Sequence, residues 1–230
     1  MHILGLEPRI CILLGVTEES REAAVPTDVL IQPTLLLTGK SAAAVYAQPA
    51  AELKRLTEAG AVVKIARGYY AAVPIGKQST SWLPSMEDLA AGLASAVYGP
   101  GNGALWGLSA ARAHGALPRA IATGYAFGPT QHRPIALLLR QGEVQFRKRD
   151  PDRLDIEYLD TELGPGLVTS VAQTILDLST RHFEGEGDLR TEAVRNLMNV
   201  VDRDELADLA TRVRGLAALN RARQVASHAE

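Results

Sequence analysis

The sequence holds a single cysteine, Cys11. No internal disulfide can form, which excludes a disulfide-knit secreted scaffold and a cysteine-built zinc site. Long apolar runs are also missing. The longest uncharged one, Ile10 to Val16, is far short of the roughly 20 residues a membrane helix needs. It does not read as a signal-peptide core either, because Glu18 and Glu19 follow it and no small-x-small cleavage site does. The expectation is a soluble cytoplasmic protein. Nor is there a marked excess of one charge: the formal net charge is −2 over 230 residues, with 47% hydrophobic and 22% charged. That composition excludes extended disorder, collagen-like chains and coiled-coil rods. The length admits one large domain or two small ones, with chain enough for a core.

What is present is a local bias. Residues 26–80 carry six cations (Lys40, Lys54, Arg55, Lys64, Arg67 and Lys77) against three carboxylates (Asp28, Glu52 and Glu58). A basic module on a nearly neutral chain hints at a polyanionic partner. Residues 1–27 show no sustained period, and 1–37 are left as an uncertain extension or arm.

From Thr38 the pattern sharpens. Ser41 to Ala47 is Ala-rich and favours helix. Gln48-Pro49 breaks and restarts the chain, with Pro49 suited to a first helical turn. Ala50 to Ala59 continues as helix, Leu53 and Leu56 share a face, and Gly60 is a natural stop. Val62, Val63 and Ile65 read as a strand, Arg67-Gly68 as a turn, Tyr69 to Val73 as the returning strand, and Pro74 ends it. Helix, break, helix and ribbon is the order of a winged helix-turn-helix, placed at 38–74. With Leu53 and Leu56 inward, a step of about 100° per residue puts Gln48, Ala51, Lys54, Arg55 and Glu58 outward. Amide, methyl and cations are the groups that read phosphates and base edges. Lys64 and Arg67 on the ribbon could hold the adjacent backbone. Gln48, Ala51, Lys54, Arg55, Lys64 and Arg67 are therefore the candidate DNA-binding residues.

Residues 75–81 are polar and mark a linker. Beyond it, 82–230 is expected to be a larger α+β domain. Met86 to Tyr98 and Gly103 to His114 read as helices. Ala120 to Phe127, Ile135 to Arg140, Val144 to Lys148 and Leu154 to Tyr158 read as short strands. Ser170-Val-Ala-Gln173 is a capping box opening a helix through Leu178. From Asp188 the chain reads as helical to its end, interrupted near Asp202 to Asp204. The fold class is α+β: an N-terminal winged helix-turn-helix, then a larger α+β domain with a small sheet and a helical C-terminus.

Several motifs fail on inspection. Thr38-Gly39-Lys40-Ser41 imitates the end of a phosphate-binding loop, but Thr34 stands where its first glycine should be. Leu35, Leu36 and Leu37 suit a packed segment better than a phosphate nest. Gly99, Gly101, Gly103 and Gly107 follow a helix, and Trp106 replaces the third glycine of a dinucleotide fingerprint. Ser109 lacks the second glycine of a nucleophile elbow. The histidines His2, His114, His132, His182 and His228 show no metal-pair spacing. Asp150, Asp152 and Asp155 alternate with Arg149 and Arg153, as a solvated edge does. No catalytic residue, metal or cofactor is expected. Two other readings remain: a nuclease-like nucleic-acid-processing enzyme targeted by a winged helix, and a winged helix used for protein contact alone.

Three segments carry a family resemblance. One is Pro49-Ala-Ala-Glu-Leu-Lys-Arg-Leu-Thr-Glu-Ala-Gly60 with Val63 to Pro74. The second is Ala104-Leu-Trp-Gly-Leu-Ser-Ala-Ala-Arg-Ala-His-Gly-Ala-Leu-Pro-Arg119. The third is Val168-Thr-Ser-Val-Ala-Gln-Thr-Ile-Leu-Asp-Leu178. In order and spacing, the chain from about 38 to 223 resembles the AbiEi antitoxins of bacterial type IV toxin–antitoxin systems, in the style of actinobacterial members. The resemblance implies an N-terminal winged helix that represses its own operon, and a C-terminal domain that counters a cognate AbiEii-type nucleotidyltransferase toxin. The partners expected are own-promoter DNA, that toxin, and a second copy on DNA. Exposed cations of the second domain, Arg112, Arg119, Arg133, Arg147 and Arg149, with His114, are the candidates for the partner surface.

Overall fold

The computed structural model describes residues 35–74, 76–77, 81–181 and 187–227. The readings for 1–34, His182 and His228 lie outside the described residues. The architecture is α+β, with a three-stranded sheet and its helices first, a mixed six-stranded sheet next, and helices at the C-terminal end.

The small unit begins with β1 (Leu36–Thr38), α1 (Gly39–Ala43) and α2 (Pro49–Glu58), followed by β2 (Val62–Ala66) and β3 (Tyr69–Ala72). The sheet order is β1-β3-β2, all antiparallel. Strand, helix, helix and hairpin, with β1 on the far side of β3, is the arrangement of a winged helix-turn-helix. The false phosphate loop is a capping box. Ser41 N donates to Thr38 Oγ1 at 3.1 Å and Thr38 N to Ser41 Oγ at 2.8 Å, so two orphan amides are satisfied and α1 begins. Helix α1 is shorter than the Ser41 to Ala47 expectation; its last turn closes by Val45 and Tyr46 donating to Ala42 O.

The second unit contributes α3 (Met86–Tyr98), β4 (Ala104–Leu105), α4 (Gly107–Ala113), β5 (Thr123–Gly128), β6 (Ile135–Ala136) and β7 (Glu143–Lys148). After a 3-10 turn, Pro151–Arg153, come β8 (Ile156–Thr161), β9 (Gly164–Thr169), α5 (Val171–Leu178), α6 (Gly187–Met198), α7 (Arg203–Arg212) and α8 (Leu216–Ser227). Its sheet runs β6-β7-β5-β4-β9-β8, parallel at β5–β7 and β4–β9 and antiparallel elsewhere. Helix α3 starts in a capping box of Ser85 and Asp88. It lies close over the sheet because both surfaces are small where they meet. A Cβ on Gly124 of β5 would stand 3.1 Å from Ala90, one on Gly166 of β9 3.1 Å from Ala91, and one on Gly128 2.4 Å from the Tyr98 ring.

Three sequence expectations need correction. The run Gly103 to His114 is not one helix: Ala104 and Leu105 pair with Phe127, Ala126 and Val168 as β4, and the helix starts at Gly107. Ser170 caps α5 through Gln173 N at 3.1 Å, but Gln173 does not return the bond. Its amide instead bonds Asp177 at 2.9 Å and accepts from Asp155 N at 3.4 Å. The C-terminal helical run breaks twice, the second time at Val213 to Gly215.

The two units share a core. Consecutive residues of a strand face opposite sides. Leu37 and Ala72 join Ala42, Leu53, Leu56, Ala61 and Val62 in a small core beneath α2. Leu36 and Ala71, with Ile65 and Ala66, turn the other way into the core of the large unit. Leu35 N donates to Leu163 O at 2.7 Å and Leu138 N to Ile65 O at 2.8 Å. Residue Ala66 bridges Leu137, so the edge of β2 is covered by the large unit. Lys77 Nζ and Trp82 Nε1 both donate to Glu162, the indole at 2.6 Å.

Candidate nucleic-acid interface

Helix α2 forms where the sequence places it, for local reasons. Pro49 occupies its first position, and Gly60, at φ 70°, ends it in a left-handed conformation that costs other residues energy. Leu53 and Leu56 are buried; Gln48, Ala51, Lys54, Arg55 and Glu58 are exposed. Burying each leucine stabilises the unit by about 1.5–3 kcal/mol, so this rotation of the helix is strongly held. The outward face is therefore the one the spacing predicts.

That face is not uniformly positive. Lys54, whose side chain is 78% exposed, pairs with Glu58 at 3.8 Å. Arg55 grips Glu52 with a bidentate contact, Nη2 to Oε1 at 2.7 Å and Nε to both oxygens at 3.2 Å. The Arg55 guanidinium holds the Glu52 carboxyl below its usual pKa of 4.5, chiefly by that hydrogen bond, against the upward push of burial and with its charge adding to the lowering. Behind the helix, the Tyr46 hydroxyl is buried with no hydrogen-bond partner, and burial raises its pKa.

The wing is the β2–β3 hairpin. Gly68, at φ 84°, makes the turn possible beside exposed Arg67. Lys64 is exposed on β2, its ammonium 5.9 Å from the Tyr70 ring centre, a cation–π contact that steadies the side chain. Register slips between Lys64 and Ala66, and that bulge turns Ala66 to the Leu137 bridge. The six sequence-derived candidates thus divide by element: Gln48, Ala51, Lys54 and Arg55 on one helix with its cap, and Lys64 and Arg67 on the hairpin that follows it.

The second set of candidates behaves differently. Arg112 donates Nε to Glu87 Oε1 at 2.6 Å and also bonds Arg119 O, tying α4 to α3. His114 Nε2 lies 2.7 Å from Thr169 O, and Nδ1 3.5 Å from Glu157. Arg119 pairs with Glu192 of α6. Arg149 makes a double contact with Asp177 at 2.5 and 2.7 Å and stands over the Trp106 and Phe127 rings. Arg147 is exposed above Trp106 at 5.3 Å, and Arg133 is exposed. Four of the six hold elements together. As for the aspartates, Asp150 caps the 3-10 turn and pairs with Arg153 at 3.1 Å. Among the described residues no group of three or more His, Cys, Asp or Glu could hold a metal ion, and no helix is long and apolar enough to cross a membrane.

Sequence reasoning missed β1 and the contact of Leu137 and Leu138 with the wing. The signal for β1 was the Leu35-Leu36-Leu37 run itself, too short to show a period.

The fold is thus a winged helix-turn-helix seated on a larger α+β unit. Among solved structures, the chain is similar to the crystal structure of the Rv2827c protein from Mycobacterium tuberculosis. The match has a TM-score of 0.54 at 19% identity and covers 90% of this chain and 75% of that one. At that identity the likeness is one of fold. No family model matches the chain, and no curated protein does.

Proposed function

We propose that this chain is a DNA-binding antitoxin of the AbiEi kind. In this reading it represses its own operon through α2 and the wing, and counters a cognate nucleotidyltransferase toxin. The observation that carries the DNA reading is the outward face of α2, where an amide, a methyl and two cations stand exposed beside a two-stranded wing with Lys64 and Arg67. A helix of this kind presents side chains to base edges in a major groove, while the wing cations reach flanking phosphates. Glu52 and Glu58 hold Arg55 and Lys54 in place until DNA phosphates take the cations over, an exchange driven by the release of counterions condensed on the DNA. The antitoxin role is supported by the order and spacing of the three segments described above.

The test is binding to the chain's own promoter. The two wing cations on phosphates predict that log Kobs falls with log salt at a slope of about −2 per copy, and about −3 to −4 where Lys54 and Arg55 also neutralise phosphates. Lys54→Ala and Arg55→Ala should each weaken binding by roughly 1–3 kcal/mol if the side chain reaches a base. Wild-type affinity in the double variant sinks the recognition-helix assignment. The antitoxin role is tested by co-expression with the cognate nucleotidyltransferase toxin that this reading requires; growth arrest unrelieved by this chain refutes it.

A further inference from the structure

The large sheet has two edges, and the protein treats them differently. At the β6–β7 edge the backbone is covered. Ala66 bridges Leu137 and Leu138 N donates to Ile65 O at 2.8 Å, so the small unit continues the sheet there. Beyond β6 the side chain of Gln131 stands in for a strand, donating to Phe146 O at 2.6 Å and accepting from Lys148 N at 3.2 Å. The other edge is β8, which pairs with β9 alone. Ser170 N donates to Asp155 O at 3.0 Å, in line with the register that sets Ile156 opposite Thr169. That bond fixes the phase of the antiparallel ladder. The backbone groups of Glu157, Leu159 and Thr161 face β9, and those of Ile156, Tyr158 and Asp160 face outward. No backbone amide or carbonyl of those three bonds another described residue.

Free edges are usually blunted by proline, lysine, a bulge or a very short strand. Strand β8 has six residues in unbroken register, with no proline and no lysine. Tyr158, near its centre, is 88% exposed, and tyrosine is a residue type enriched at protein interfaces. Charge selects the occupant. From Leu154 to Thr169 the chain holds four carboxylates, Asp155, Glu157, Asp160 and Glu162, and no Lys or Arg. Lys77 engages Glu162, and His114 lies 3.5 Å from Glu157, while Asp160 is exposed. This edge repels a DNA backbone, and a second β8 would bring four more carboxylates to it. A strand that carries Lys or Arg is attracted instead.

We propose that β8 is the docking edge for an extended, basic segment of a partner protein, which joins the sheet as a further strand antiparallel to it. Backbone bonds to Ile156, Tyr158 and Asp160 hold that strand, and cations beside Glu157 and Asp160 select it. The proposal does not rest on the DNA reading, since α2 and the wing belong to the small unit. The probe is the synthetic peptide Thr-Lys-Val-Thr-Lys-Val-Thr, whose lysines have the spacing of Glu157 and Asp160, with a control carrying Glu for Lys. Each is added to the full chain, and affinity and backbone amide exchange are measured by NMR. The lysine peptide should slow exchange at Ile156, Tyr158 and Asp160. The glutamate peptide should bind at least about tenfold more weakly, because two attracting cross-strand pairs become repelling ones. Tyr158→Pro removes an outward N–H and no bond to β9, and should abolish binding. Asp160→Lys keeps the proposal falsifiable should Tyr158→Pro unfold the chain: it should weaken the lysine peptide and tighten the glutamate one. No binding of the lysine peptide, equal binding of both, binding without protection of those three amides, or self-association of the chain that protects them overturns the proposal.

Discussion

The cations of the small unit and the arginines of the large one do different work. Lys54 and Arg55 pair with Glu58 and Glu52 one turn away on their own helix. Such pairs contribute only about 0.3–0.5 kcal/mol and cross no boundary between elements. Arg112, Arg119 and Arg149 instead join α3 to α4 and α6 and α5 to loops, each across 25 or more residues of sequence. The Arg149–Asp177 pair is four-fifths or more buried on both sides, at 19% and 7% exposure, where removing one partner strands the other charge. The contrast teaches which cations a partner can recruit. An exposed local pair gives up its cation at little cost, whereas a buried long-range pair holds the fold. Of the six partner-surface candidates, Arg119, Arg133 and Arg147 are exposed, and Arg119 is engaged by Glu192.

The sharpest way to break this comparison is Arg149→Ala. It should lower unfolding stability in denaturant titration by about 3–5 kcal/mol, while folded protein keeps its DNA affinity. A loss under about 1 kcal/mol would return Arg149 to the recruitable class. Arg214 tests a different kind of arginine. It sits at φ 57°, in the turn between α7 and α8, where glycine is at ease and other residues are strained. Arg214→Gly should raise stability by up to about 1 kcal/mol. A fall in stability instead would show that its side chain holds the turn.

Glu162 is the long-range but exposed case. Lys77 and then Trp82 hold its carboxyl below the usual 4.5 by hydrogen bonds. A lowered folded-state pKa stabilises above the unfolded value, and the benefit is lost as pH falls through the folded one. Glu162→Gln should therefore cost less than about 1 kcal/mol at neutral pH, and the gap to wild type should close as the pH drops below 4.5. A gap unchanged in acid would detach the effect from ionisation. The smallest effect belongs to Glu52→Gln, which releases Arg55. DNA affinity should rise roughly twofold, the worth of an i,i+3 pair, with the thermal midpoint nearly unmoved. A weaker complex would mean that Glu52 positions Arg55 for its target.

Much of the small unit was legible because its signals are local. Pro49, the Leu53–Leu56 spacing, Gly60 and Gly68 each act within one turn of chain, and the six candidates of that unit are exposed on the elements assigned to them. The large sheet was read less well. β9, with Gly164, Pro165 and Gly166, is not among the strands expected from the sequence, and Gly166 is there because Ala91 of α3 approaches it. Ala104 and Leu105 have helical neighbours and become strand through pairing with β5 and β9. Two of the arginines expected to be exposed, Arg112 and Arg149, are half-buried for the same reason: whether a guanidinium meets water or Asp177 depends on a residue 28 positions away.

By itself the sequence determined α2 with its proline start and glycine stop, the Ser170 cap of α5, the hairpin turn and the outward face of α2. Those depend on dihedral preference and on a periodicity shorter than the element. The tertiary structure decided what the small sheet's second face meets. Leu36 and Leu37 are adjacent and equally apolar, yet pleating sends one into the core of the large unit and the other beneath α2. It also decided which arginines are matched and that four of them gather around one cavity at the C-terminal helices. Charge pairing is settled by distances in space, which no local pattern encodes.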